Sequence, residues 1–149
     1  MKKVLLLLLF VITVNSKLYA FDWCFEIAGS KYRINPLLLR SIAIVESGLN
    51  PSAISKNKNN TEDMGIMQVN SMWLKTLRRY KLDKEVLLKN PCQNIAIGAW
   101  ILSQCINRFG YSWKAVDCYN KGPTKAKKYS DYVLKVYRVM ESLKKREKK

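Results

Sequence analysis

Two carboxylates in the first half of the chain, Glu46 and Asp63, have the types and surroundings that glycoside cleavage uses. Glu46 ends an apolar run, and Asp63 opens a turn that contains Gly65. An apolar wall keeps a carboxylic acid protonated, as a general acid requires, and a nearby negative charge stabilises an oxocarbenium-like transition state. The pair therefore predicts acid catalysis by Glu46, with electrostatic support from Asp63.

The chain has no histidine, and this excludes several other kinds of enzyme. Ser-His-Asp and Cys-His hydrolases need an imidazole base, and most zinc sites use histidine as a ligand. The sequence also lacks a Cys-x-x-Cys pair and a Gly-rich phosphate loop. We therefore expect neither a metal ion nor a cofactor.

Residues 1–20 have the pattern of a secretory signal peptide. Two lysines near the start precede apolar residues 4–14, and a short segment then ends at Ala20. The apolar stretch is too short to span a bilayer, which needs about 20 residues. We predict cleavage after Ala20 and a single mature domain over residues 21–143; an uncleaved membrane anchor is the alternative.

The four cysteines, Cys24, Cys92, Cys105 and Cys118, all follow the predicted signal peptide. An even number in an exported protein predicts two disulfides. If residues 94–108 form one helix, Cys92 and Cys105 lie about 20 Å apart along its axis and cannot pair. Two pairings remain, Cys24–Cys92 with Cys105–Cys118 or Cys24–Cys105 with Cys92–Cys118. Buried free thiols are the alternative to both.

The chain is strongly basic. Its formal net charge of +16 becomes +13 when the three lysines of the predicted signal peptide are removed. Such a surface favours anionic partners. The sequence has no nucleic-acid-binding signature, and anionic wall polymer or membrane headgroups suit an exported protein better than nucleic acid. We expect residues 144–149, a basic tail, to be frayed.

The rest of the chain predicts one mainly α domain made of helices with short connections. Asn35 and Pro36 provide a side-chain cap and a first-position proline, so that a helix begins there, carries Glu46 near its end and stops at Gly48. The polar segment 49–63 is predicted as a loop. The expected helices cover about 21–32, 36–48, 71–80, 94–108, 113–119 and 130–144.

Four ordered motifs resemble the lytic transglycosylases of the lysozyme-like (SLT domain) family. They are Glu46-Ser47, Gly65-Ile66-Met67-Gln68, Asn94-Ile95 with Gly98-Ala99-Trp100, and Tyr119-Asn120 with Gly122. The segment from Asp63 to Ser71 also resembles c-type lysozyme. The resemblance implies a mainly α, lysozyme-like fold with a glycan-binding cleft over the Glu46 helix, and a small β-hairpin near Asp63.

The resemblance also implies roles for individual residues. Glu46 would be the acid/base residue, and Ser47 would hold the scissile sugar or orient Glu46. Met67 and Gln68 would line the cleft, although core packing explains Met67 equally well. Tyr119 and Asn120 would lie close to Glu46, and the Tyr119 phenol can donate a hydrogen bond to it. Asp63 is a departure, since lytic transglycosylases usually rely on one catalytic glutamate.

The function implied by the resemblance is cleavage of the MurNAc–GlcNAc bond of peptidoglycan in the periplasm, leaving 1,6-anhydroMurNAc ends. Small members with this size and cysteine pattern often serve type III or type IV secretion and conjugation machines. For this chain we expect the same kind of partner, no cofactor and a monomer. The family often has cysteines that match Cys24 and Cys92, which favours Cys24–Cys92 with Cys105–Cys118. A hydrolytic muramidase and a non-catalytic wall-binding assembly protein are the alternatives.

Overall fold

The computed structural model describes residues 21–148, so the predicted signal peptide lies outside the described residues. No helix within these residues is long and apolar enough to cross a membrane. The α-helices are α1 (Asp22–Tyr32), α2 (Pro36–Ser47), α3 (Leu74–Leu77), α4 (Lys84–Lys89), α5 (Pro91–Phe109), α6 (Trp113–Lys121) and α7 (Asp131–Glu147). The mainly α architecture that the sequence predicts is therefore confirmed.

A small antiparallel sheet interrupts the helices and carries Asp63. Its strands are β1 (Ile54–Lys56), β2 (Glu62–Met64) and β3 (Val69–Asn70), in the order β1-β2-β3. Asp63 lies on the central strand, opposite Ser55 on one side and Asn70 on the other. The hairpin expected near Asp63 is confirmed, and a third strand extends it. The loop predicted over 49–63 contains β1 and the first two residues of β2, which are too short and too polar to show a strand pattern.

The helix that carries Glu46 forms as predicted. The Asn35 side chain accepts a hydrogen bond from the Leu37 N–H at 2.8 Å, and Pro36 occupies the first turn. Gly48 ends the helix in the left-handed conformation at φ 62°, which glycine adopts without strain. These two signals fix both ends of α2 and place Glu46 in its last turn.

Three other helical segments differ from the predictions. The helix expected over 71–80 is broken into a 3-10 turn at Ser71–Trp73, the short α3 and a second 3-10 turn at Arg78–Tyr80. The long helix α5 begins at Pro91 rather than at 94, because the Asn90 side chain caps the Gln93 N–H at 3.0 Å. Helix α4 was not predicted, since one buried leucine, Leu87, is too little to give a helical period.

Helix α5 lies at the centre of the fold and packs against α1, α4 and α6. The two disulfides hold this arrangement: Cys24–Cys92 joins α1 to the start of α5, and Cys105–Cys118 joins α5 to α6. The pairing favoured by the family resemblance is confirmed. The core consists of side chains that are completely or almost completely buried, among them Phe25, Leu39, Ile42, Ile66, Met67, Ile95, Leu102 and Val136.

Residues 144–147 of the predicted basic tail are helical rather than frayed, because α7 continues through Glu147. Its last turn contains Lys144, Lys145 and Arg146, and cations there interact favourably with the partial negative charge at the carboxyl end of a helix. Lys144 also pairs with Glu141 at 2.8 Å. The prediction from charge alone missed this continuation of the helix.

Candidate active site

An open cleft of about 640 Å³ brings the two predicted carboxylates together. Glu46 reaches it from the end of α2, Asp63 from the central strand of the sheet, and Tyr119 from the last part of α6. Gln68 and Asn120 line the same cleft. The structure therefore brings five of the predicted site residues to one concave surface.

Glu46 lies in surroundings that favour its protonated form. Burial raises the pKa of Glu46 from 4.5 to about 7; a hydrogen bond from Tyr132 acts in the opposite direction, and the negative charge of Asp63 adds to the increase. Its Oε1 accepts the Tyr132 hydroxyl at 2.6 Å. A pKa near 7 lets one carboxyl group release and recover a proton near neutral pH.

The phenol on Glu46 belongs to a different tyrosine from the one expected. Tyr119 donates its hydroxyl to the Met67 carbonyl at 2.6 Å, and Tyr132, in the first turn of α7, donates to Glu46. Burial and the charge of Glu46 raise the pKa values of both phenols well above 10, so both stay protonated as donors. Sequence reasoning missed Tyr132 because no motif marks it and because 86 residues separate it from Glu46.

Asp63 is held by the side-chain amides of two asparagines. Its Oδ2 accepts from Asn57 Nδ2 at 2.9 Å, and its Oδ1 accepts from Asn70 Nδ2 at 2.7 Å. Both asparagines also line the cleft. The carboxylate is held in one orientation, because each oxygen has its own donor and the residue lies on the central strand. Its negative charge contributes to the raised pKa of Glu46.

A tight turn over residues 65–68 connects strands β2 and β3 and packs against helix α5. Gly65 adopts φ 75°, and a Cβ there would lie 2.2 Å from Asn94 Nδ2. The fully buried Asn94 accepts from the Met67 N–H at 2.9 Å and donates to the Met64 carbonyl at 2.9 Å. Glycine and asparagine are therefore both required at these positions, since the turn approaches α5 this closely.

Ser47 and Met67 have structural contacts rather than places in the cleft lining. The Ser47 hydroxyl donates to the Ile66 carbonyl at 2.7 Å, which ties the residue after Glu46 to the turn. Met67 has 0% of its surface exposed and packs against Gly98 in the core. Of the two alternatives left open for Met67, the structure shows core packing, because the turn directs its side chain inwards.

Gln68 lines the cleft, but its amide already has protein partners. Its Oε1 accepts from the Ser55 hydroxyl at 2.7 Å, and its Nε2 donates to the Gly65 carbonyl at 3.0 Å. Gln68 itself adopts a left-handed conformation at φ 50°, which is uncommon for a residue with a side chain and is found often at functional sites. These bonds make Gln68 a support of the turn beside the carboxylates.

The remaining cleft lining contains side-chain amides, the Thr61 hydroxyl and the aromatic ring system of Trp73. Amide and hydroxyl groups donate to and accept from sugar hydroxyls, and an apolar ring offers a flat surface to a sugar face. Trp73 is held edge-on against Trp100 with ring centroids 5.1 Å apart. Other lining residues include Asn59, Thr61, Met72, Gln104, Arg108 and Lys121. Within residues 21–148 no group of three or more His, Cys, Asp or Glu side chains gathers as metal ligands would.

The chain is similar to several known proteins. The family description "Transglycosylase SLT domain" matches residues 23–136. Protein IpgF of Shigella flexneri is 38% identical over 117 residues, which cover 77% of this chain and 77% of IpgF. Invasion protein IagB of Salmonella typhimurium is 32% identical over 148 residues, which cover 96% of this chain and 91% of IagB.

A solved structure confirms the predicted lysozyme-like fold. It is that of an inactive mutant of the lytic transglycosylase Slt from Pseudomonas aeruginosa, and it matches with a TM-score of 0.60 at 19% identity. The match covers 83% of this chain and 22% of that protein, so the chain corresponds to about a fifth of Slt. With the family match over residues 23–136 and the cleft around Glu46, the chain belongs to the transglycosylase SLT domain family and is a peptidoglycan lytic transglycosylase.

Proposed function

We propose that this protein cleaves the MurNAc–GlcNAc bond of peptidoglycan without water and leaves 1,6-anhydroMurNAc ends, with Glu46 as acid and then base. The observation that carries the proposal is the environment of Glu46. It lines a polar cleft, its pKa is raised to about 7, and it accepts a phenol hydrogen bond that fixes one of its oxygens. The raised pKa suits both roles at neutral pH.

The reaction needs only this chain's own residues and the substrate. Protonated Glu46 gives its proton to the glycosidic oxygen as the bond from that oxygen to C1 of MurNAc breaks. The positive charge that develops at C1 is stabilised by the negative charge of Asp63. Ionised Glu46 then accepts the proton of the C6 hydroxyl of the same sugar, and O6 bonds to C1. Glu46 is again protonated, and no water is consumed.

A hydrolytic muramidase is the second candidate, and Asp63 is the observation that favours it. Two asparagine amides hold this carboxylate in the cleft with Glu46, an arrangement in which an aspartate supports attack by water. The two reactions share the first step and differ in the nucleophile. They are separated by the ends of the products, which are anhydro in one case and reducing in the other.

The role of Glu46 is tested with Glu46→Gln, which keeps the shape of the side chain and removes its ability to donate and accept a proton in turn. The matched control is Glu62→Gln, because Glu62 is the neighbour of Asp63, pairs with Lys84 at 2.5 Å and is not among the cleft-lining residues. We expect Glu46→Gln to lower release of soluble muropeptides from purified peptidoglycan by at least about a hundredfold. Wild-type release by this variant would contradict the proposal.

The biological setting that we propose is local opening of the cell wall for a secretion or conjugation apparatus, by a periplasmic monomer. The relative named as an invasion protein and the basic charge of the chain support this setting. If residues 1–20 are a signal peptide, protein recovered from the periplasm begins at Phe21, which N-terminal sequencing tests. A start at Met1 would contradict cleavage. Loss of secretion in a deletion strain, restored by the wild type but not by Glu46→Gln, tests the role.

A further inference from the structure

Asp117 is a completely buried carboxylate for which the proposed reaction has no use. It lies on α6 with 0% of its surface exposed. Its Oδ1 accepts the Ser130 hydroxyl at 2.5 Å, and its Oδ2 accepts the Lys127 backbone N–H at 2.8 Å. The Lys121 ammonium lies 3.1 Å from Oδ1. Burying a charge is costly unless it is paired and hydrogen-bonded, and these three partners offset the cost for Asp117.

The partners of Asp117 lie on the connection that leads from α6 to the helix of the active-site tyrosine. Ser130 is the N-cap of α7: its hydroxyl oxygen accepts the Val133 N–H at 3.2 Å while its proton is donated to Asp117. Tyr132 lies between Ser130 and Val133 in the sequence, and its hydroxyl donates to Glu46 Oε1 at 2.6 Å. One hydroxyl group therefore joins the buried carboxylate to the first turn of α7.

Asp117 also fixes the route of the connection itself. The Lys127 N–H bond holds the middle of residues 122–130, and Gly122 and Pro123, at the start of this segment, line the cleft. The same segment is also held by Ala126, which packs against the cluster of Cys105, Ala115 and Cys118. Asp117 thus couples α6, which carries Tyr119, to α7, which carries Tyr132.

We propose that Asp117 is a positioning residue of the reaction: through Ser130 it fixes the first turn of α7 and so holds the Tyr132 phenol on Glu46. This inference rests on the proposed role of Glu46 as the acid and base. It gives a function to the one buried carboxylate of residues 21–148 that lies outside the cleft, and it makes residues 117, 130, 132 and 46 a single chain of contacts.

The charge of Asp117 persists through the pH range in which Glu46 titrates. Burial acts to raise the pKa of Asp117, but hydrogen bonds from Ser130, the Lys127 N–H and Lys121 outweigh it and leave the pKa below its usual value. The titratable groups that act on Glu46 are Asp63 and Tyr132, and Glu46 in turn acts on Tyr119. The link through Ser130 is therefore constant while the acid gains or loses its proton.

The experiment measures the pKa of Glu46 by carbon-13 NMR titration, with Glu46→Gln used to assign the signal. Ser130→Ala removes the link without changing any charge, and Ser130→Thr restores the hydroxyl. The matched control is Ser112→Ala, because Ser112 is the N-cap of α6, with its hydroxyl oxygen 3.3 Å from the Ala115 N–H, and is not a hydrogen-bond partner of Asp117. Tyr132→Phe gives the effect of losing the phenol outright.

We expect Tyr132→Phe and Ser130→Ala each to raise the pKa of Glu46 from about 7 by about one pH unit, since a hydrogen bond to the ionised form is lost. The double variant should show no further increase, and Ser130→Thr and Ser112→Ala should leave the value near 7. In digests at pH 6, Ser130→Ala should lower kcat and leave KM unchanged, because substrate contacts persist while the acid is misplaced.

The proposal is overturned if Ser130→Ala leaves the pKa of Glu46 unchanged while Tyr132→Phe raises it, or if the two effects add in the double variant. Should Ser130→Ala fail to fold, Asp117→Asn provides the same titration, with an increase expected and an unchanged value contradicting the link. The NMR readout needs no catalysis. Wild-type protein that releases no muropeptides would therefore refute the proposed function and leave this result standing.

Discussion

The raised pKa of Glu46 predicts that the wild-type protein loses stability as the pH rises, and that Glu46→Gln does not. Between pH 4.5 and about 7 the folded protein keeps a proton on Glu46 that the unfolded chain has released. The folded state therefore binds more protons, and the free energy of unfolding falls with pH across this range. At about 1.36 kcal/mol per pKa unit, the shift in the pKa of Glu46 from 4.5 to about 7 corresponds to about 3 kcal/mol of unfolding free energy. Glutamine does not titrate and removes this dependence on pH.

The assay is urea denaturation with the disulfides intact, at pH values from 4 to 8, for the wild type, Glu46→Gln and the control Glu62→Gln. The stability of Glu46→Gln relative to the wild type should rise by up to about 3 kcal/mol between pH 4 and pH 8. The pKa of Glu62 is shifted in the opposite direction, because the hydrogen bond and charge of Lys84 lower it. Replacing Glu62 should therefore cost stability at high pH. A difference between Glu46→Gln and wild type that stays constant with pH would refute the reasoning.

Three further predictions concern the contacts around the cleft and the disulfides. Tyr132→Phe should move the alkaline limb of the pH–rate profile to higher pH, because the phenol hydrogen bond lowers the pKa of Glu46; an unchanged limb in peptidoglycan digests would contradict this. Gly65→Ala should cost at least about 2 kcal/mol in urea denaturation, since φ is 75° and the new Cβ would meet Asn94, and a cost under about 0.5 kcal/mol would contradict the close approach. Replacing the Cys24–Cys92 disulfide, with a sequence separation of 68, should lower the free energy of unfolding by about 1.5 kcal/mol more than replacing Cys105–Cys118, with a separation of 13. Equal losses would contradict a loop-entropy origin.

The parts of the active site that depend on local sequence were predictable. The Asn35 cap, the first-position Pro36 and the stop at Gly48 fix both ends of α2, so the position of Glu46 at the end of an apolar helix followed from neighbouring residues. The family motifs supplied the turn after Asp63 and the pairing of the cysteines, both found in the structure. Local signals and motif spacing were sufficient for these features.

The parts that depend on contacts distant in sequence were not predictable. Tyr132 reaches Glu46 across 86 residues, and Asp117 finds Ser130 only because the connection after α6 folds back. Before folding, neither residue differs from an ordinary tyrosine or aspartate on a helix. The position of the Met67 side chain could not be predicted either, because the direction of the turn, and not the motif, places it in the core.

The most direct test of the central claim is mass spectrometry of the muropeptides that the mature protein releases from purified peptidoglycan. Non-hydrolytic cleavage at Glu46 predicts products that end in 1,6-anhydroMurNAc, each lighter by one water than its hydrated counterpart, and predicts their loss in Glu46→Gln. Products with reducing ends would contradict the proposed reaction and assign the cleft to hydrolysis supported by Asp63.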